Sequence, residues 1–228
     1  MSQTIDRPGE SATSQEVPGP RVPSEVVPEA VAAAPEPAPV GDPGTIGLPA
    51  FLAGAVALAL VLVGFVPATA GAASIPIIMT ATSVGLLIAT VWAARLGQNA
   101  VAGVYGAFAG FWLSYAALVL GLGHNWFGIA ADDAVRSQEL FLIAWLVVFA
   151  LLTIGGLRLP AVYPVLFALV VVVIVLVLVG TANASTGALK TAGYVLFVII
   201  AMGAYLFVNS MNTALGGRAL PLGPPILK

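Results

Sequence analysis

From Thr45 onward, apolar residues run in long stretches broken by short punctuation, and the pattern recurs six times, at about 46–66, 73–94, 101–122, 138–156, 160–180 and 188–209. Each stretch approaches the roughly 20 helical residues that cross a hydrocarbon core of about 30 Å. Pro67 with Gly71, Arg95–Asn99, Gly121–Ser137, Gly156–Pro160 and Gly180–Gly187 separate the stretches, and all but the third break are brief. The fifth stretch is crowded with β-branched residues from Val170 to Val175, which in water would suggest a strand. Its length and its lack of polar alternation argue for a helix instead. The pattern predicts an all-α integral membrane protein with six transmembrane helices.

Residues 1–44 differ in kind. They hold much of the chain's proline together with Ser, Glu and Ala, in runs such as Pro35-Glu36-Pro37-Ala38-Pro39, without an apolar period of strand or helix. Such a segment buries too little surface to offset its ordering entropy, which predicts a disordered N-terminal tail on the cytoplasmic side, followed by a six-helix transmembrane domain over 45–228. No basic region followed by an apolar stretch opens the chain, so a cleavable secretory signal is not expected. The tail is a flexible spacer or a partner-binding segment.

Composition narrows the function. Of 228 residues, 60% are hydrophobic and 8% charged, too few polar side chains to coat a soluble enzyme. After Asp42 the carboxylates are Asp132, Asp133 and Glu139. Without cysteine there is no disulfide frame, thiolate metal site or cysteine nucleophile, and the singly scattered Lys and Arg residues form no basic stripe for nucleic acid. Lys190 and Glu139 fall near span ends, where snorkelling or capping accommodates them. With six spans, Arg95, Arg158, Arg218 and Lys228 share the side of both termini against Arg136 and Lys190 opposite, which predicts cytoplasmic termini in the plasma (inner) membrane.

Within the spans, Gly103, Gly106 and Gly110 form a small-residue stripe suited to helix packing, a subunit interface or a pore lining. Trp92, Trp112, Trp126 and Trp145 read as interface anchors. His124 has no second ligand at metal spacing, and Asp132-Asp133 reads as a helix-start cap rather than an acid/base pair. Asn183-Ala184-Ser185 matches a glycosylation sequon. No catalytic residue, cofactor or metal site is assigned. Without midspan carboxylates or histidine, a transport path would rely on hydroxyls, amides, backbone dipoles and an aromatic constriction, with any coupled proton travelling on the substrate.

Three stretches carry a resemblance. Asp42-Pro43-Gly44-Thr45-Ile46-Gly47-Leu48, followed by Phe51, stands where the acetate uptake transporter family has Asn-Pro-Ala-Pro-Leu-Gly-Leu. Ala109-Gly110-Phe111-Trp112-Leu113 resembles its small-residue Phe-Trp-Leu segment, and Gly217-Arg218-Ala219-Leu220-Pro221-Leu222-Gly223 its terminal motif. The resemblance implies a six-helix subunit in a homo-oligomeric ring, a hexamer, embedded in lipid, with a pore in each subunit for acetate and related short carboxylates. It also implies a constriction at Phe51, Phe108 and Val170, with Asp42, Pro43, Gly47 and Leu48 as motif residues. Phe108 replaces a family Tyr, Val170 a Leu and Asp42 an Asn, while Ser210 stands where a Glu is frequent.

The first functional expectation is a carboxylate permease or channel, passive or proton-linked, whose uptake rises as external pH falls. The alternatives are a channel for water, ammonium/ammonia or another neutral solute, and a non-transporting membrane scaffold that recruits a partner through its tail.

Overall fold

A computed structural model describes residues 41–228, and the expected disordered tail lies almost wholly outside them. Among the described residues six helices are long and apolar enough to span a membrane: α1 (Gly44–Val63), α2 (Thr69–Arg95), α3 (Asn99–Gly123), α4 (Ala131–Arg158), α5 (Val162–Ala182) and α6 (Thr186–Ala214). All six expected spans are present.

Local chemistry sets their ends. Gly64 ends α1 in the left-handed region at φ 86°, its N–H returning to the Leu60 and Val61 carbonyls. Ser185 begins α6 by accepting the Ala188 N–H on its hydroxyl at 3.3 Å. α2 starts irregularly, with 3₁₀ turns over Ala68–Ser74 and a π segment over Ile78–Thr82, before becoming regular over Ser83–Arg95. Pro76 removes a backbone donor here. The Thr80 hydroxyl donates to the Pro76 carbonyl at 2.6 Å and the Ser83 hydroxyl to that of Ile78 at 2.7 Å, so side chains satisfy part of what the distorted ladder leaves open. At the start of α4, Asp133 occupies the cap position but its side chain makes no capping bond. Its main-chain oxygen accepts from the Ser137 hydroxyl, and Glu139 pairs instead with Arg136 at 2.8 Å.

The helices form a ring in the order α3, α2, α1, α6, α5, α4, with α3 and α4 meeting across a sparse seam. Aromatic side chains fill that seam: Phe111 lies 5.6 Å from both Trp145 and Phe149, centroid to centroid, and the Trp145 indole N–H donates to the Ser114 hydroxyl at 3.2 Å. Two close approaches join α1 and α2. A Cβ on Gly54 would stand 2.5 Å from Thr82 Oγ1, and one on Gly85 would stand 2.5 Å from Ala50 Cβ. Along the α3 stripe, Gly103 faces open space, Gly106 makes ordinary contact with Thr90 on α2, and a Cβ on Gly110 would stand 3.1 Å from the Trp145 ring on α4. Small residues thus mark the α1–α2 crossing and, through Gly110, the contact of α3 with α4. Trp112 is no interface anchor, because it is buried in the core, whereas Trp126 is exposed beside a stacked His124.

After α6 the chain turns back. Val162 N–H donates to the Leu222 carbonyl, Leu227 N–H to the Leu157 carbonyl, and Pro160 bridges Pro225, so the C-terminal strap lies against the start of α5. Tyr205 Oη donates to the Pro221 carbonyl at 2.8 Å, Asn209 Oδ1 accepts the Leu220 N–H at 2.7 Å, and the Asn212 amide bonds the Arg218 carbonyl.

Candidate functional site

The start of α1, the turn between α2 and α3, the start of α5, the end of α6 and the strap surround a partly open cavity of about 340 Å3, whose lining runs from Asp42, Gln98 and Pro160 at the helix ends to Phe51, Phe108 and Phe167 within the helices. Each contributes a different surface. Asp42, Gly44, Leu48 and Phe51 come from α1 and the residues before it; Gln98, Val101, Val104, Tyr105 and Phe108 from the α2–α3 turn and α3; Leu159, Pro160, Tyr163, Leu166 and Phe167 from α5 and its approach. Gly203, Leu206, Asn209 and Ser210 come from α6, Leu86 from α2 and Leu222 from the strap.

The motif before α1 builds the mouth. Asp42 Oδ1 accepts the Gly44 N–H at 2.8 Å, and its main-chain oxygen accepts the Thr45 hydroxyl at 2.8 Å, which closes a local turn and starts the helix. Pro43 is fully buried. Gly44 and Gly47 admit neighbours that any side chain would displace, since a Cβ would stand 2.6 Å from Ser210 Oγ at the first and 2.5 Å from the Tyr105 ring at the second. Leu48 then points its side of α1 at the cavity.

Aromatic rings form the inner limit. Phe51 and Phe108 are 6% and 5% exposed, and their centroids stand 5.1 Å apart, edge to face. Phe108 also lies 4.9 Å from Phe149 and 6.4 Å from Phe167, while Phe51 lies 6.4 Å from Trp112. The structure therefore brings Phe51 and Phe108 together at the cavity. Val170 belongs to the same buried cluster, but it does not line the cavity; Phe167, one turn earlier on α5, does.

Several residues of the site were not singled out from sequence. Tyr105 and Tyr163 line the same cavity as Asp42, with hydroxyls that have no hydrogen-bond partner among the described residues. Deeper in, Thr82 Oγ1, Ser74 Oγ and Trp112 Nε1 are buried polar atoms without a partner among the described residues. Thr82 precedes the cavity residue Leu86 by one turn on α2, and Trp112 follows Phe108 by one turn on α3. Other hydroxyls on these helices, those of Thr90 and Ser114, donate to the carbonyl four residues back, so the orphaned donors stand out. Asp42 is the single acidic or basic side chain among the described lining residues, and the remainder is apolar, amide, hydroxyl or phenol. Such a surface suits a small solute held by few polar contacts.

A profile described as the GPR1/FUN34/yaaH family matches residues 24–215. Among solved structures, the bacterial acetate channel SatP superposes with a TM-score of 0.70 at 20% identity, covering 80% of this chain and 99% of that one. The likeness is one of fold. No curated protein matches the sequence.

Proposed function

Because the chain belongs to the GPR1/FUN34/yaaH family, we propose that it is a membrane channel or permease for acetate and related short mono- and dicarboxylates, each subunit conducting through its own helix ring. One observation carries the reading: a partly open cavity whose buried lining includes the paired rings of Phe51 and Phe108. A scaffold has no need of such a void, whereas a gated conduit in its closed state has both parts. The similar fold of SatP, a bacterial acetate channel, supports the substrate class. On this reading the route continues past the rings toward the unpartnered donors of Thr82 and Trp112, which offer a solute hydrogen bonds where the rest of the bundle is apolar.

An apolar neck excludes an anion far more strongly than a neutral acid, so transport is proton-linked in the sense that the proton travels on the substrate. The subunit sits in the plasma membrane with both termini cytoplasmic, in keeping with the distribution of Arg and Lys between loops, and assembles as a hexamer through the exposed apolar faces of its helices. Radiolabelled acetate uptake into proteoliposomes tests the function. Facilitated uptake above that of empty vesicles, competed by succinate, is the expected result. Uptake equal to that of empty vesicles at every pH overturns it.

A further inference from the structure

We propose that Asp42, together with the Tyr105 and Tyr163 hydroxyls, forms a recognition site at the cavity mouth for the undissociated carboxylic acid, and that the charge of Asp42 keeps carboxylate anions out. The inference rests on the reading that this cavity carries short carboxylic acids, and it names the species that enters.

Three features on three elements converge. Asp42 precedes α1, and its Oδ1 is committed to the Gly44 N–H at 2.8 Å, while Oδ2 has no hydrogen-bond partner among the described residues. Tyr105 comes from α3 and Tyr163 from α5; both line the same cavity as Asp42, and the Tyr105 ring lies against Gly47, near the start of α1. The remaining described groups that face the mouth are uncharged: Gln98 from the α2–α3 turn, Asn209 and Ser210 from α6, and Leu222 from the strap, with α4 contributing no lining residue. No lysine or arginine lines the described cavity to offset the carboxylate.

An ionised Asp accepts hydrogen bonds and cannot donate them, whereas a phenol donates one. An undissociated acid presents the complement, its O–H to Oδ2 and its C=O to a tyrosine hydroxyl. A carboxylate anion presents two acceptors to a third and meets a like charge across a cavity whose walls are mostly apolar, where screening is weak. No bond to carbon forms or breaks. The proton enters on the solute and leaves with it.

Two measurements on reconstituted full-length protein test the proposal. Wild-type uptake of labelled acetate, corrected for empty vesicles, should follow the undissociated fraction and fall about tenfold per pH unit above the acid's pKa. Planar bilayers containing the wild type should show no acetate-dependent current. Asp42→Asn removes the charge and adds a donor, so uptake at neutral pH should rise on the order of tenfold or more and an acetate current should appear. Asp42→Glu keeps the charge and should keep the steep pH profile without current. A wild type that conducts acetate as current overturns the proposal by itself, even if Asp42→Asn fails to fold; so does an Asp42→Asn protein that folds and matches the wild type in both readouts. A wild type with no facilitated uptake at any pH refutes instead the transport reading on which the proposal stands.

Discussion

Phe51→Ala should open the conduit. The Phe51 ring meets Phe108 edge to face at 5.1 Å and Trp112 at 6.4 Å, and it rests against the glycine face of α6, where a Cβ on Gly203 would be 3.6 Å from Phe51 Cε1. For a solute to pass, the ring must leave both aromatic partners. Each such pair is worth about 0.5–1.5 kcal/mol beyond area burial, so the closed state is favoured by roughly 1–3 kcal/mol. At about 1.4 kcal/mol per tenfold, removing the ring should raise flux roughly 5- to 150-fold if swinging it aside limits the rate. Acetate uptake in proteoliposomes, normalised to reconstituted protein, measures the change. Phe149→Ala is the control: Phe149 touches Phe108 at 4.9 Å and is fully buried, but it does not line the cavity. Its truncation should lower thermal stability as Phe51→Ala does, without the rise in flux. A folded Phe51→Ala protein with wild-type flux, or a Phe149→Ala protein with the same gain, would show that the Phe51 ring is not the gate.

Gly54→Leu should lower the melting temperature in detergent, because any Cβ there stands 2.5 Å from Thr82 Oγ1 and forces α1 from α2, an overpacking cost of about 1–3 kcal/mol. Thr82→Ala in the same chain should recover part of the loss, and no recovery would place the strain elsewhere. Tyr205→Phe deletes the hydrogen bond to the Pro221 carbonyl at a cost of about 0.5–1.5 kcal/mol, and limited proteolysis should then cut the strap faster; an unchanged cleavage rate would mean that the other strap contacts suffice.

Much of the fold was readable because the bilayer writes its thickness into the sequence: a span must be apolar for about 20 residues whatever it packs against. The ends were less readable. α6 runs on to Ala214, beyond the expected end near residue 209, because its polar residues find partners rather than water: Asn209 takes the Leu220 N–H, and Ser210 is buried at the cavity. Polarity alone cannot separate a helix exit from a satisfied polar turn. The orientation of a helix about its axis was the least legible quantity. α5 is apolar on every side, so its periodicity does not say which residue faces inward, and it is Phe167 rather than Val170 that lines the cavity.

The strap shows the same limit from the other direction. Gly217–Gly223 was notable in sequence only through resemblance, since its glycines and prolines read physically as a loop. Its place is fixed by main-chain carbonyls at Pro221 and Leu222 that accept from Tyr205 and Val162, groups every residue possesses and whose use leaves no mark on side-chain identity. Gly223 is the exception. It takes φ 78°, and a Cβ there would press on that of Ala161 at 3.1 Å, so a glycine is required where the strap passes the start of α5 and brings Leu222 to the cavity wall. The mouth that Asp42 guards is thus walled on one flank by a segment outside the membrane-spanning helices, held there by the backbone of the helices it borders.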